Sequence, residues 1–209
     1  MKIAVVCANG KAGRLIVKEA QERGLDVTAI TRKPNETVTD KTIQKDLFDL
    51  TKEDLQEFDV VVDAFGTFKE ETLPMHSTSL MHLCDSLSGT KTRLIIVGGA
   101  GSLYVNEEHT ATVADSPDFP KEVKPLALAM GKGLKELRER KDVMWTYVSP
   151  AINFQAEGSK TGTYKIGGEE VITNTQGESI ISYADYAIAI IDEAINKNYI
   201  QKRINVIAE

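Results

Sequence analysis

The chain has 209 residues, enough for one domain with a real buried core. Hydrophobic residues make up 42% and charged residues 27%, the balance of a globular protein rather than a disordered or fibrous one. A net charge of −6 repels a phosphate backbone and excludes nucleic acid as an expected partner.

Lys2–Cys7 is β-branched and almost wholly apolar, the pattern of a strand buried on both faces. Ala12–Arg23 follows as an amphipathic helix, and Gly24 ends it. Asp26–Thr31 predicts the next strand and Thr42–Lys45 a weaker one. Thr51–Glu57 predicts a short helix, with Thr51 and Asp54 spaced as a capping box. Asp59–Phe65 is a further central strand, and Glu71–Leu87 a helix with Leu73-Pro74 near its start. Arg93–Val97 is a strand that runs into Gly98-Gly99. Pro125–Arg138 is a helix with Leu126, Met130, Leu134 and Leu137 on one stripe. Met144–Val148 and Ile204–Ile207 are strands. Tyr183–Asn196 is a helix whose Ser182 and Asp185 form a capping box. Its apolar stripe, Ala184, Ala187, Ile188, Ile191 and Ile195, is core or a dimer face.

Strand and helix alternate, which predicts an α/β fold with a doubly wound parallel sheet over residues 1–209. Residues 149–177 are rich in Gly, Ser, Thr and Asn. They predict a small C-terminal substrate-side appendage with a hairpin around Gly167-Gly168. No apolar run reaches a membrane-spanning length, and Ile3–Cys7 is too short for a signal peptide. Cys7 and Cys84 form no CxxC pair. The expectation is a cytoplasmic monomer or homodimer with a small-molecule substrate and no membrane partner.

In such a fold, ligands bind outside the carboxyl ends of the strands. After the first strand comes Ala8-Asn9-Gly10-Lys11-Ala12-Gly13. Gly10 would admit a pyrophosphate, Gly13 would let helix and strand pack closely, and the helix N-terminus would attract the anion. Nineteen residues beyond Gly13 stands Arg32, followed by Lys33. An NAD site carries an acidic residue at about this distance, and two cations suit a 2′-phosphate. NADP(H) is therefore expected over NAD(H), and Glu36 and Asp40 lie too far past the strand to reverse that. Asp46 is placed to accept from an adenine amino group with Leu47 against the ring; N-capping the short helix is the competing role, given to Asp49. Phe65, Gly66 and Thr67 follow the fourth strand and would leave room for a ribose. Gly98, Gly99 and Gly101 imply a backbone passing close to something, with a nicotinamide ring the natural candidate. Pro150 and Ala151 would flank that ring.

Together these stretches resemble the atypical short-chain dehydrogenases of the NAD(P)-binding Rossmann group. The nearest branch is the NADH-flavin reductase-like one, beside the NmrA-like and biliverdin-IX-β/flavin reductases. The resemblance rests on VCANGKAGR, ITRKP, KDLFD, VGGAGSLYV, DFPKEVKP, YVSPAINF, TGTYKIGG and ISYADYAIAI, spread over nearly the whole chain. It implies a reduced nicotinamide as hydride source and a flavin as possible acceptor. The departure is Cys7, where the group mostly has glycine.

Typical short-chain dehydrogenases pair a Tyr with a Lys four residues on, which lowers the Tyr pKa for proton donation. Here the residues four beyond Tyr104, Tyr147, Tyr164, Tyr183, Tyr186 and Tyr199 are Glu108, Ala151, Gly168, Ala187, Ile190 and Arg203. None is lysine, so ordinary carbonyl reduction lacks its usual acid. Flavin reduction asks mainly for alignment of two flat rings. Ser102 and Tyr104 are the candidates for touching substrate, and Phe154 for stacking on it. His76 and His82 face different ways along a helix and suggest no shared metal. His109 is expected to be solvated, as are Lys132 and Lys135. Two other functions remain open: an NmrA-like nucleotide sensor without turnover, and a reductase of another small carbonyl or alkene.

Overall fold

The computed structural model describes residues Met1–Glu209, and alternate residues of each central strand feed opposite layers. In β1 (Lys2–Val6), Ile3 and Val5 enter one apolar cluster while Ala4 and Val6 enter the other. The first cluster lies under α1 (Lys11–Glu22) and α5 (Tyr183–Asn196), through Ile16, Tyr186 and Ile190. The second lies under α2 (Lys52–Leu55), α3 (Met75–Leu87) and α4 (Lys124–Arg138), through Leu55, Leu83 and Leu137. Each such buried aliphatic side chain contributes about 1.5–3 kcal/mol, so the two-sided apolar runs dictate the three layers.

The remaining strands are β2 (Asp26–Thr31), β3 (Thr42–Gln44), β4 (Val60–Asp63), β5 (Arg93–Val97), β6 (Met144–Pro150), β7 (Asn153–Gln155), β8 (Lys165–Gly167), β9 (Ile180–Ser182) and β10 (Lys202–Ile207). Eight form one sheet in the order β3-β2-β1-β4-β5-β6-β10-β8. All its pairings are parallel except β10 with β8. This is the doubly wound Rossmann-like topology that the alternation predicts.

Three expectations need correction. The helix expected from Glu71 begins at Met75, because Pro74 lacks an N–H and stands at its N-cap behind a separate turn at Glu70–Thr72. No hairpin forms at Gly167-Gly168. Instead β8 pairs with the distant β10, and Ile172 fills the space that a side chain at Gly167 would need. Ser149 and Pro150 belong to β6, so the segment after it is knitted into the fold from its first residues. Within it β7 pairs in parallel with β9, the strand just before α5. Buried Asp185 fastens the segment further: it accepts from the Thr161 N–H and hydroxyl and the Gly162 N–H, while Ser182 caps α5 by accepting from the Asp185 N–H. Within the stripe on α5, Ala187 and Ile191 are buried and Ile195 is exposed. No helix is long and apolar enough to cross a membrane.

Candidate functional site

The chain leaves β1 through Cys7 in the left-handed region (φ 58°), a conformation that costs a side-chain-bearing residue about 1–2 kcal/mol. That is the conformation a first glycine would supply. The Cys7 carbonyl accepts from the Gly10 N–H at 3.0 Å, and Gly10 then starts α1. No side chain caps this helix and no acidic residue stands in its first turn, so its amides and positive end face outward. Gly13 is the tight position: a Cβ there would sit 2.8 Å from the Ala8 carbonyl oxygen and 2.9 Å from that of Cys7. Ala8 is fully buried, Ala12 half-buried and Lys11 exposed, where it pairs with Glu157 at 3.5 Å. Cys7 itself is half-buried rather than tucked away. Burial first, then the charges of Asp63 and Asp46, push its thiol up to about 12.

A cleft of about 370 Å³ opens at the carboxyl ends of β1, β2 and β4. Asn9, Gly10, Arg32, Lys33, Asp46, Leu47, Phe65 and Gly66, all singled out in the sequence, line it. So do Cys7, named in the sequence only as the departure from glycine, Glu36, set aside there as too distant, and Arg14, Lys45, Phe48 and Met75, which the sequence reading did not single out. Glu36 is a correction. The Asn9 side chain donates to the Pro34 carbonyl at 2.8 Å and accepts from the Glu36 N–H at 2.9 Å. This folds Glu36 back over the loop, where Arg14 holds its carboxylate. Asp46 is a second correction: its carboxylate caps the Phe48 N–H at 3.1 Å and lies 3.7 Å from Arg32. That cap serves the single turn Leu47–Asp49, while the short helix α2 is capped by Thr51 rather than by Asp49. Leu47 is nearly buried, and the exposed Phe48 ring, tilted against His82, presents the apolar surface instead.

Beyond Phe65, a smaller cavity of about 20 Å³ is lined by Asp63, His76, Met130 and Tyr147 among others. Burial pushes the Asp63 carboxyl up to about 6, partly offset by its bond from the Phe65 N–H. Burial lowers the His76 imidazole and raises the Tyr147 phenol to about 12. Thr67 lies outside the cleft, bonded to Thr72 and to His76 through its carbonyl at 3.0 Å. His82 instead meets the Leu50 carbonyl, on another side of α3.

The glycines after β5 approach the protein's own side chains. A Cβ on Gly98 would fall 2.3 Å from the Tyr147 ring, on Gly99 2.8 Å from the Met130 sulfur, and on Gly101 2.6 Å from Ala127. The close approach that the sequence assigned to a nicotinamide is therefore internal packing. Ser102 and Tyr104 are held by Arg203, which sequence reasoning missed. This buried arginine donates to the Ser102 carbonyl at 2.7 Å and hydroxyl at 3.1 Å, pairs with Glu169, and lies 5.6 Å from the Tyr104 ring centre. His109 is exposed, as expected, and its ring also stacks on Tyr104 at 4.1 Å and bonds Glu170. Phe154 packs on Tyr183 and Tyr186 rather than standing free for a substrate. Pro150 and Ala151 are buried in the sheet end, where Asn205 donates to the Pro150 carbonyl at 2.9 Å. No group of three or more His, Cys, Asp or Glu side chains converges on a point that could hold a metal ion.

The sequence pattern of the NAD(P)H-binding family matches residues 7–194. The uncharacterized protein YwnB of Bacillus subtilis is 43% identical over the whole of this chain and 99% of its own. A crystal structure of a "putative NADH-flavin reductase" from Streptococcus pneumoniae is 49% identical, covers both chains fully and superposes with a TM-score of 0.98. A "putative epimerase" from Bacteroides thetaiotaomicron is 30% identical over 99% of this chain and 96% of its own, with a TM-score of 0.86. With this match over most of its length and relatives of this identity, the chain belongs to the NAD(P)H-binding family.

Proposed function

We propose that the chain is an NAD(P)H-dependent oxidoreductase whose dinucleotide lies along the cleft and whose electron acceptor is a free flavin or a similar flat molecule. The observation that carries this is the cleft itself: an uncapped helix end beside four cations, Arg14, Arg32, Lys33 and Lys45, against two carboxylates, Glu36 and Asp46. The amides of Lys11 and Ala12 would meet the pyrophosphate. Phe48 and Leu47 would meet the adenine. The exposed guanidinium of Arg32, with Lys33, would take a 2′-phosphate, which favours NADPH over NADH. Arg14 pairs with the Glu36 carboxylate and so offsets its charge in the cleft. The reduced nicotinamide supplies the hydride.

Near the carboxyl end of β5 Arg203 donates to the Ser102 hydroxyl oxygen and the Tyr104 ring stacks on His109, and no tyrosine of the chain has the lysine four residues on that ordinary carbonyl reduction uses. This favours an acceptor that takes its proton from water once the rings are aligned. The Streptococcus pneumoniae relative, named a "putative NADH-flavin reductase", shares the flavin acceptor of this reading but not its preference for NADPH.

Anaerobic mixing of the protein with NADPH and FMN or riboflavin tests the proposal. Nicotinamide oxidation faster than in buffer is expected, with NADPH ahead of NADH; no acceleration contradicts it. The engaged Ser102 and Tyr104 also favour a second reading, a nucleotide sensor. That reading requires NADPH binding by calorimetry with no oxidation on any acceptor.

A further inference from the structure

Asp63 ends β4 with its side chain buried, and one hydrogen bond from the Phe65 N–H at 3.0 Å is its sole protein partner. A carboxyl so placed is costly unless a cation or several donors compensate it. None does. Beside it in the sheet lie Val6 of β1 and Ile96 of β5. The titratable groups that face it are the Cys7 thiol past β1, the His76 imidazole and Cys84 thiol of α3, and the Tyr147 phenol of β6. α4 contributes only the thioether of Met130. No lysine or arginine is among them.

The small cavity beside Asp63 has about 20 Å³, room for one water, which needs roughly 10–15 Å³. Tyr147 accepts there from the Gly99 N–H at 3.2 Å, which leaves its own proton without a protein acceptor. Burial lowers the His76 imidazole, whose Nε2 lies 3.0 Å from the Thr67 carbonyl oxygen. The carboxyl thus has one backbone N–H and no lysine or arginine beside it.

Phe65 forms the common wall of this cavity and the nucleotide cleft. Asp63 holds the backbone of that wall and pairs in the sheet with Val6, one residue before the Cys7–Gly10 turn. A dinucleotide seated there would bring two diphosphate charges toward Asp63 without bringing a compensating cation. In a poorly solvated site such charges act against an ionised carboxylate.

We propose that Asp63 is a proton-binding site coupled to the nucleotide, taking up a proton from solvent when NAD(P)H occupies the cleft and returning it when the nucleotide leaves. Burial already sets the carboxyl at about 6 in the free protein, so near neutral pH most molecules have an ionised Asp63 able to take the proton. Binding then tightens as pH falls, by at most ~10-fold per pH unit for one proton. This inference rests on the proposed seating of the dinucleotide in the cleft.

NADH is the probe, because the 2′-phosphate of NADPH itself titrates near pH ~6. Calorimetric titration in buffers of different ionisation enthalpy counts the protons. Wild type is expected to take up a sizeable fraction of one proton per NADH near neutral pH. Its affinity should fall ~3- to 10-fold between about pH 6 and about pH 8. Asp63→Asn should take up none and bind with a flat pH profile, while His76→Gln keeps the uptake. Uptake unchanged in Asp63→Asn, or lost in His76→Gln, overturns the proposal. Binding without uptake by wild type overturns it too, and that result needs no variant to fold. Failure of wild type to bind NADH at any pH removes the seating and this proposal with it.

Discussion

The carboxyl edge of the sheet has two halves that use glycine for opposite ends. Around β1, β2 and β4 the backbone borders an open cleft of about 370 Å³, and a Cβ at Gly66 would meet nothing within 4 Å. Around β5 and β6 the same residue type makes room for the protein itself, with Tyr147, Met130 and Ala127 seated against Gly98, Gly99 and Gly101. A glycine-rich strand end therefore marks a close approach without saying whether ligand or protein makes it. In this chain the two cases lie side by side.

Substitution separates them. Gly98→Ala forces a buried ring to move and should cost about 3 kcal/mol in a denaturant melt. Combining it with Tyr147→Leu should cost clearly less than the sum of the two single changes. Gly66→Ala should melt as wild type does yet weaken the nucleotide. If Gly66→Ala is the destabilised variant and Gly98→Ala the harmless one, the contrast is reversed.

Asp63 stands at the boundary between the halves. Its folded value, about 6 by burial, lies above the 3.8 of an unperturbed aspartate. The folded state therefore holds the proton more tightly, and stability falls as pH climbs from about 4 to about 6, then stays level. Asp63→Asn should match wild type below about pH 4 and be more stable by about 2–3 kcal/mol at neutral pH. Melts at a series of pH values check this; a gap that does not vary with pH contradicts it.

In the open half, Arg32→Ala should weaken NADPH by about 1–2 kcal/mol and leave NADH nearly unchanged. Equal losses for the two nucleotides would end the 2′-phosphate role. The smallest effect is expected at Cys7→Gly. Glycine accepts φ 58° without the side-chain penalty, and a gain of about 1 kcal/mol should appear as a higher melting temperature.

Much of the fold was legible because burial on two faces writes long apolar runs. β2 and β5 start and end where their sequences predict, and the mostly parallel sheet follows from strand–helix alternation. The three-residue strands β7, β8 and β9 were not legible. Each is too short to show a period, and each pairs with a partner far along the chain. The phosphate-loop side of the site was legible because its glycines answer local backbone needs, as Gly13 does against Ala8 and Cys7. Glu36, Phe48 and Arg203 escaped because their positions are set by remote contacts. The Asn9 amide folds Glu36 back, the Asp46 cap sets Phe48, and a strand near the chain end carries Arg203 to the loop after β5. Nothing local distinguishes Gly98 from Gly10; what separates them is Tyr147, about fifty residues away.

The central claim is that the dinucleotide occupies the β1–β2–β4 half of the edge. Backbone amide shifts on titration with NADPH test it most directly. The account predicts the largest changes at residues 7–14, 32–36, 46–48 and 64–66, with smaller ones at 98–99. Changes centred on Ser102, Tyr104, His109 and Glu170, with the Cys7–Arg14 loop unmoved, would contradict it.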